Sequence, residues 1–292
     1  MPAWSPLMLS RLTGRHLDAY RHPQAELWAR VTAWALPDWP GSWYHLGLVY
    51  KRQARWHASQ RANAAAGKLH PEYEPAWWNM GIAATARGDW GEARRAWTAY
   101  GIDLPEGSGA PDMNIGLTPI RLDPEGRAEV VWTMRLDPAR ARIVSVPLPP
   151  SNRRYGDVVL HDGVPTGERV LDGEAVPVFD ELELLVQSPY GTFHADVRVE
   201  EGEDFADLVE LSETHGVRAQ NWTATIRHLP REVSEGSAPA FEDLPIEETA
   251  QLGIAARTQE DARAFLTAWT RARAGRELLD LHLGLRGTEV TA

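Results

Sequence analysis

The sequence predicts a multidomain protein, α-helical at its start and α+β beyond, and three observations carry that prediction. Pro37, Pro71 and Pro105 recur at an interval of 34 residues, the length of a repeated helical hairpin. From Gly107 to Pro111 the composition turns to Gly, Ser and Pro, and past it the helical period gives way to short segments, most of them bearing Val or Ile. From residue 188 onward, strand-like and helix-like stretches alternate twice in the same order.

At 292 residues the chain exceeds one ordinary hydrophobic core, so two or three domains are expected. With 43% hydrophobic and 24% charged residues it belongs with globular chains. It contains no cysteine, which excludes disulfides, thiolate nucleophiles and thiolate metal sites. Met1 to Leu12 shows no basic segment followed by a long apolar run, so no signal peptide is expected. No stretch approaches the roughly 18 uncharged apolar residues of a membrane span. A soluble cytoplasmic protein is the simplest expectation, and 28 Arg against Lys51 and Lys68 is the bias of a GC-rich bacterial genome. Charge divides unevenly. Residues 1–105 carry 12 basic and 8 acidic side chains, whereas the remainder carries 18 and 33. An acidic total argues against nucleic acid as the partner, because neutralising phosphates needs a dense basic stripe.

The clearest helical unit runs from Glu74 to Gly101. Trp77, Met80, Gly81 and Ala84 share one face of a first helix at i, i+3, i+4, i+7 spacing, Gly88-Asp89 turns the chain, and Ala93, Trp97 and Tyr100 line the second helix. Glycine and alanine at such positions let helices approach closely, and Pro105 is expected to stop the second helix because it lacks an N–H. Trp43, Leu46 and Gly47 stand 34 residues before Trp77, Met80 and Gly81.

This pattern resembles the tetratricopeptide repeat (TPR) family. Residues 74–107 carry its signature as Trp77, Met80, Gly81, Gly88, Ala93, Trp97 and Pro105, departing from it at Ala84 and Tyr100. Residues 40–73 carry Trp43, Leu46, Gly47, Tyr50, Ala66 and Pro71, with Ser59 and Asn63 where alanine and an aromatic are usual. Residues 6–39 are a degenerate copy keeping Leu12, Ala25 and Pro37. The resemblance covers residues 1–105, within a helical repeat domain expected over 1–106, and implies a groove for a partner peptide on the inner face of the first helices. On this frame Tyr44, Leu48, Lys51 and Arg52 present from one unit, and Trp78, Asn79, Ile82 and Thr85 from the next. The carboxylate-clamping Lys and Asn set known in the family is not reproduced. What remains is an aromatic–aliphatic groove with a basic edge, suited to an acidic partner; the acidic segment Glu232 to Glu248, with Phe241 and Leu244, is one occupant of matching composition.

Residues 113–187 are expected to form a small all-β barrel or sandwich. Its strands are Thr118 to Leu122, Ala128 to Arg135, Ala141 to Val146, Asp157 to His161 and Glu181 to Val186, with turns that include Asp162-Gly163 and Asp172-Gly173. In residues 188–287, Phe193 to Val199 alternates, Phe205 to Thr214 has helical spacing, and Arg218 to His228 alternates again. Leu252 to Ala256, a helix opened by a Thr258–Asp261 capping box, and Leu279 to Leu285 then repeat the order. Two strand–helix–strand units suggest a ferredoxin-like βαββαβ domain with strand order 4-1-3-2 and residues 229–250 as an insertion.

On that arrangement Phe193, Ala195, Val197, Trp222, Ala224, Ile226, Leu279, Leu281 and Leu283 face the helices. His194, Asp196, Arg198, Thr223, Thr225, Arg227, Asp280 and His282 take the opposite face. The first and last strands are neighbours in this order, so His194, Asp196, Asp280 and His282 converge as two imidazoles and two carboxylates, a donor set for zinc or a similar divalent ion; the same residues equally suit an ordinary hydrated sheet face. Asp180, Glu181 and Glu183 read as a charged strand edge rather than a catalytic pair. No phosphate-binding loop, dinucleotide fingerprint, nucleophile elbow or zinc-protease helix occurs. The function expected is therefore a non-catalytic adaptor or regulatory protein that binds a polypeptide in the helical groove. The alternative is a ligand- or metal-binding, even enzymatic, carboxyl-terminal domain for which the repeats serve as a docking arm.

Overall fold

The computed structural model describes residues 5–18, 22–126, 128–200, 205–223 and 249–288. The chain divides into two compact units: Met1–Asn114 with Leu136–Arg140, and Ile115–Arg135 with Ala141–Ala292.

Among the described residues the first unit holds six helices: α1 (Pro6–Asp18), α2 (His22–Ala35), α3 (Pro40–Arg52), α4 (Trp56–Leu69), α5 (Glu74–Ala86) and α6 (Trp90–Tyr100). Their starts keep the 34-residue interval throughout. Pro6, Pro40 and Glu74 open the first helix of each pair, and His22, Trp56 and Trp90 open the second. The degenerate copy is thus in frame with the other two. Proline near the start of α3 and α5 costs no hydrogen bond, since the first N–H groups of a helix have no internal partner.

In the second and third pairs one tryptophan ties the pair to the preceding loop. Trp43 Nε1 donates to the Pro37 carbonyl at 2.8 Å, and Trp77 Nε1 donates to the Pro71 carbonyl at 2.7 Å. The same bond therefore recurs one period apart, with tryptophan and proline each in their repeat positions. Helix α6 ends at Tyr100, before Pro105 is reached. Gly101 takes φ 101° and donates to Thr98, and Ile102 N bonds the Trp97 carbonyl at 2.8 Å. A left-handed glycine closes the helix by satisfying its last carbonyls, so the proline is not what stops it.

The second unit begins with a closed five-stranded barrel, β1 (Gly116–Leu122), β2 (Glu129–Arg135), β3 (Arg140–Ile143), β4 (Val158–Leu171) and β5 (Glu174–Val186). It closes where β1 meets β5 in parallel, Ile120 opposite Phe179. Ile120, Leu122, Val131, Ala141, Ile143, Val159 and Phe179 fill its interior. The β4–β5 hairpin is longer than the sequence reading placed it. Asp172 and Gly173 have φ 51° and 85° and form its tight turn, whereas Asp162-Gly163 lies within β4 at a register shift. Only the first pair supplies the two left-handed residues that a two-residue hairpin turn requires.

A four-stranded sheet follows, from β6 (Gly191–Arg198), β7 (Arg218–Asn221), β8 (Thr249–Ala256) and β9 (Glu277–Leu285), in the order β7-β8-β6-β9 with every neighbouring pair antiparallel. Two helices, α7 (Leu208–Thr214) and α8 (Gln259–Ala272), cover one face. The capping box is formed: Thr258 accepts from the Asp261 N–H, and the Asp261 carboxylate accepts from the Thr258 N–H. Phe193, Ala195, Val197, Leu252, Ile254, Phe265, Leu266, Trp269 and Leu281 make the core between sheet and helices.

Two expectations about the sheet are corrected. Trp222 lies past the end of β7 and packs with Val146 and Ala255 on the face away from the helices, its Nε1 donating to the Val146 carbonyl at 2.9 Å. Gly253 makes room for that ring, because a Cβ there would clash with it. On β9 a register shift between Asp280 and Leu278 brings Leu278, not Leu279, against the core, and Leu279 and Leu283 stay 42% and 40% exposed. Ala224, Thr225, Ile226, Arg227 and most of the 229–250 insertion lie outside the described residues. The boundary expected at residues 187/188 falls inside the second unit. Val146, Leu148, Tyr155 and Tyr190 bury against Trp222 and Ala255, so barrel and sheet share a small apolar core.

Candidate functional site

The first helices of the three pairs, α1, α3 and α5, pack side by side in the first unit. Of the eight residues assigned to the groove, Lys51, Asn79, Ile82 and Thr85 are buried. A first helix is flanked by its own pair-mate and by the neighbouring pair, and so little of its surface stays open. Arg52 is exposed, and Tyr44, Leu48 and Trp78 are half-buried. These four are the accessible part of the predicted set.

Aromatic residues that the groove assignment left out support them. Tyr44 stands edge-on to Tyr73, with centroids 5.5 Å apart, and to His45 at 5.4 Å. Trp78 stands edge-on to Trp97 at 5.0 Å and to Tyr100 at 4.8 Å. Such contacts hold the two rings in place and leave an edge of each exposed. Burial lowers the His45 pKa and raises that of Tyr73. His45 Nε2 lies 2.7 Å from the Ser10 hydroxyl, which joins α3 to α1. A second apolar surface was not anticipated: Leu27, Val31 and Trp34, at i, i+4, i+7 spacing on α2, line a shallow hollow of about 430 Å³ with Pro23, Glu26 and Arg30. That spacing was the legible signal for it. Trp34 is 83% exposed.

In the second unit, pairing of β6 with β9 sets His194 opposite His282 and Asp196 opposite Asp280. The four side chains do meet, in a line. Asp196 Oδ1 lies 3.3 Å from His194 Nε2, His194 Nδ1 lies 3.1 Å from His282 Nε2, and His282 Nδ1 lies 3.6 Å from Asp280 Oδ2. The contacts run along that line rather than around a common centre. Among the described residues no group of three or more His, Asp or Glu side chains is placed to hold a metal ion. Desolvation lowers the His194 pKa, as does the second imidazole to a smaller degree, while Asp196 and Asp280 act the other way.

The acidic run on β5 is not a strand edge, because β5 pairs with both β4 and β1. Asp180 accepts two bonds from Arg121, at 2.7 and 3.0 Å, and a third from the Thr166 hydroxyl. Glu181 is paired with Arg153 at 2.5 Å and accepts from the Asp123 N–H. Both carboxylates are buried and matched by cations, as buried charge must be. The barrel also encloses two groups with displaced pKa values. Desolvation pushes Glu129 up to about 7 against hydrogen bonds from Leu148 and Ser151, and desolvation drops His161 to about 4, reinforced by Arg135. His161 stacks on Phe179, with Nδ1 2.8 Å from the Asp162 carbonyl.

No protein-family model matches the chain, and no curated protein matches it. Among solved structures, one similar domain is the first TPR of Spaghetti (RPAP3) bound to the HSP90 peptide SRMEEVD. It covers 32% of this chain and 75% of its own at 18% identity, with a TM-score of 0.32. A hypothetical protein from Neisseria gonorrhoeae covers 59% of this chain and 96% of its own, at 14% identity and a TM-score of 0.27. No helix among the described residues is long and apolar enough to cross a membrane.

Proposed function

We propose that the first unit is a tetratricopeptide-type docking surface for a polypeptide segment, and that the protein acts as a non-catalytic adaptor or regulatory module. The observation that carries this is the repeated Trp–Pro bond, Trp43 to Pro37 and Trp77 to Pro71, on helix pairs whose starts recur every 34 residues. Stacked hairpins of that kind bury their apolar faces on one another and leave one side open for an extended ligand. Tyr44, Leu48, Arg52 and Trp78 are the residues on offer there. The partner proposed is acidic and carries an aromatic anchor, because the helical third is net basic in an otherwise acidic chain and complementary charge speeds encounter. For the second unit we propose a ferredoxin-like topology, which the order β7-β8-β6-β9 and the placement of α7 and α8 support; it assigns no activity.

Titrating the full chain with a synthetic acidic peptide of sequence 232–248 tests the reading by calorimetry and tryptophan fluorescence. Arg52→Glu and Tyr44→Ala are each expected to weaken binding, by about tenfold for the charge reversal. Affinity unchanged by both substitutions would remove the groove from consideration.

A further inference from the structure

Strand β9 is an edge strand. It pairs with β6 on one side, and among the described residues no strand lies on its other side. An open edge presents a row of unmatched N–H and C=O groups, and natural sheets blunt such edges with lysine, proline or a bulge. Between Glu277 and Leu285, β9 has neither lysine nor proline. Its register shifts sit at the two ends, beyond Asp280 and beyond Leu283, so Asp280–Leu283 is a regular stretch. The edge also bears the two leucines that the core does not take up, Leu279 and Leu283.

Read outward from Leu281, this strand is its own complement. The sequence Leu279-Asp280-Leu281-His282-Leu283 places a leucine two residues away on each side, and an acid and an imidazole one residue away on opposite sides. Antiparallel pairing of two copies about a two-fold axis at Leu281 sets residue 281 + k against residue 281 − k of the other copy. Leu279 then faces the second copy's Leu283, and Asp280 faces its His282. Apolar pairs and polar pairs that hydrogen-bond directly across an antiparallel ladder are among those that stabilise it. A two-fold contact needs a patch that complements itself, and this strand supplies one.

We propose that the protein self-associates through β9, joining two four-stranded sheets edge to edge into one continuous eight-stranded sheet. The polar line Asp196–His194–His282–Asp280 then continues across the axis, with each exposed Asp280 matched by the His282 of the second copy. Side-chain exposures of 67% for Asp280 and 50% for His282 leave both within reach of a second copy, where the cross-axis contact would replace the 3.6 Å Asp280–His282 contact made within one chain. The contact is short, so the dimer belongs to the weak class, forming at roughly micromolar concentrations and above.

Sedimentation velocity and light scattering on the full chain test the proposal, with melting curves confirming that each variant is folded. Dimer is expected to grow in over about 1–200 µM protein. Leu283→Lys should abolish it. His282→Asp sets acid against acid across the axis and should weaken it about tenfold or more. The exchange Asp280→His with His282→Asp restores every cross-axis pair and should restore the dimer, which damage to one sheet would not. A wild-type chain that stays monomeric throughout overturns the proposal. So does a dimer indifferent to Leu283→Lys and His282→Asp, and if Trp34→Glu dissolves that dimer, the contact belongs to the α2 stripe instead.

Discussion

The helical repeats and the barrel are both closed at the centre, by different means. In the helices the contact between pair-mates is made by glycine against a side chain. A Cβ on Gly81 would come within 2.6 Å of the Trp97 ring, and a Cβ on Gly47 would run into the Asn63 amide at the same place one repeat earlier. Where Asn63 stands in for the aromatic, polar bonds take over: Asn63 Nδ2 donates to the Ser59 carbonyl, and the Ser59 hydroxyl donates to the Gly47 carbonyl at 2.8 Å. The barrel, by contrast, buries ionisable groups, with Asp180 and Glu181 paired to arginines, Glu129 raised to about 7 and His161 lowered to about 4, each by desolvation. Close packing needs only the right residue every 34 positions, whereas each of these buried carboxylates needs a partner from a distant part of the chain.

The largest effect that would break this comparison is at Trp97, which is fully buried. Trp97→Ala should cost about 3–5 kcal/mol in urea unfolding, as loss of a large core ring does. Trp97→Phe should cost far less, since the indole N–H it removes has no hydrogen-bond partner. Equal costs for the two would mean that the repeat is not held by ring volume.

Next in size is the pH response of the barrel. Glu129, raised from 4.5 to about 7, contributes stability that is complete below pH 4.5 and lost as pH climbs through 7. His161, lowered from 6.5 to about 4, contributes stability that is complete above pH 6.5 and lost as pH falls toward 4. Each is worth up to about 3 kcal/mol, and the two oppose one another between those limits. Unfolding free energies measured from pH 4 to 9 should separate them. Glu129→Gln should flatten the alkaline limb and His161→Phe the acid limb. A variant whose profile overlays that of the wild type would rule out its residue as the source.

Gly81→Ala and Gly47→Ala sharpen the contrast between the two repeats themselves. A rigid indole cannot yield, so Gly81→Ala should cost about 1–3 kcal/mol, whereas the Asn63 amide can swing aside and Gly47→Ala should cost less. Thermal melts in which Gly47→Ala is the worse of the pair would contradict the difference drawn here. Smallest of all, Trp43→Phe and Trp77→Phe each delete one bond to a proline carbonyl. Each should cost about 1 kcal/mol, and by the same amount if the repeats are equivalent at this point.

Much of the helical unit could be read from the chain, because helix contacts are local. The interval between prolines, the Trp and Gly positions and the Gly88-Asp89 turn are all set within a few residues of one another. The groove could be read less well. A frame names which residues face inward but not how much of each the neighbouring pair covers, and so Lys51, Asn79, Ile82 and Thr85 proved buried. In the β unit the alternation of Phe193, Ala195 and Val197 and the capping box at Thr258 were legible, whereas Trp222 was placed on the wrong face because on β7 it is the odd-numbered Ala219 that enters the core, and nothing local in the sequence marks which parity does.

By itself the sequence determined the 34-residue helical frame, the strand-rich character beyond residue 111, and the four residues that gather on β6 and β9. It could do so because periods of 3.6 and 2 are properties of the backbone. Tertiary structure alone decided that the barrel closes through β1 and β5, that Asp180 and Glu181 are buried with Arg121 and Arg153, and that the β9 register shifts by one residue at Leu279. Each of those depends on which distant strand lies alongside. That is settled by the burial of one face against another and leaves no mark at any fixed spacing in the chain.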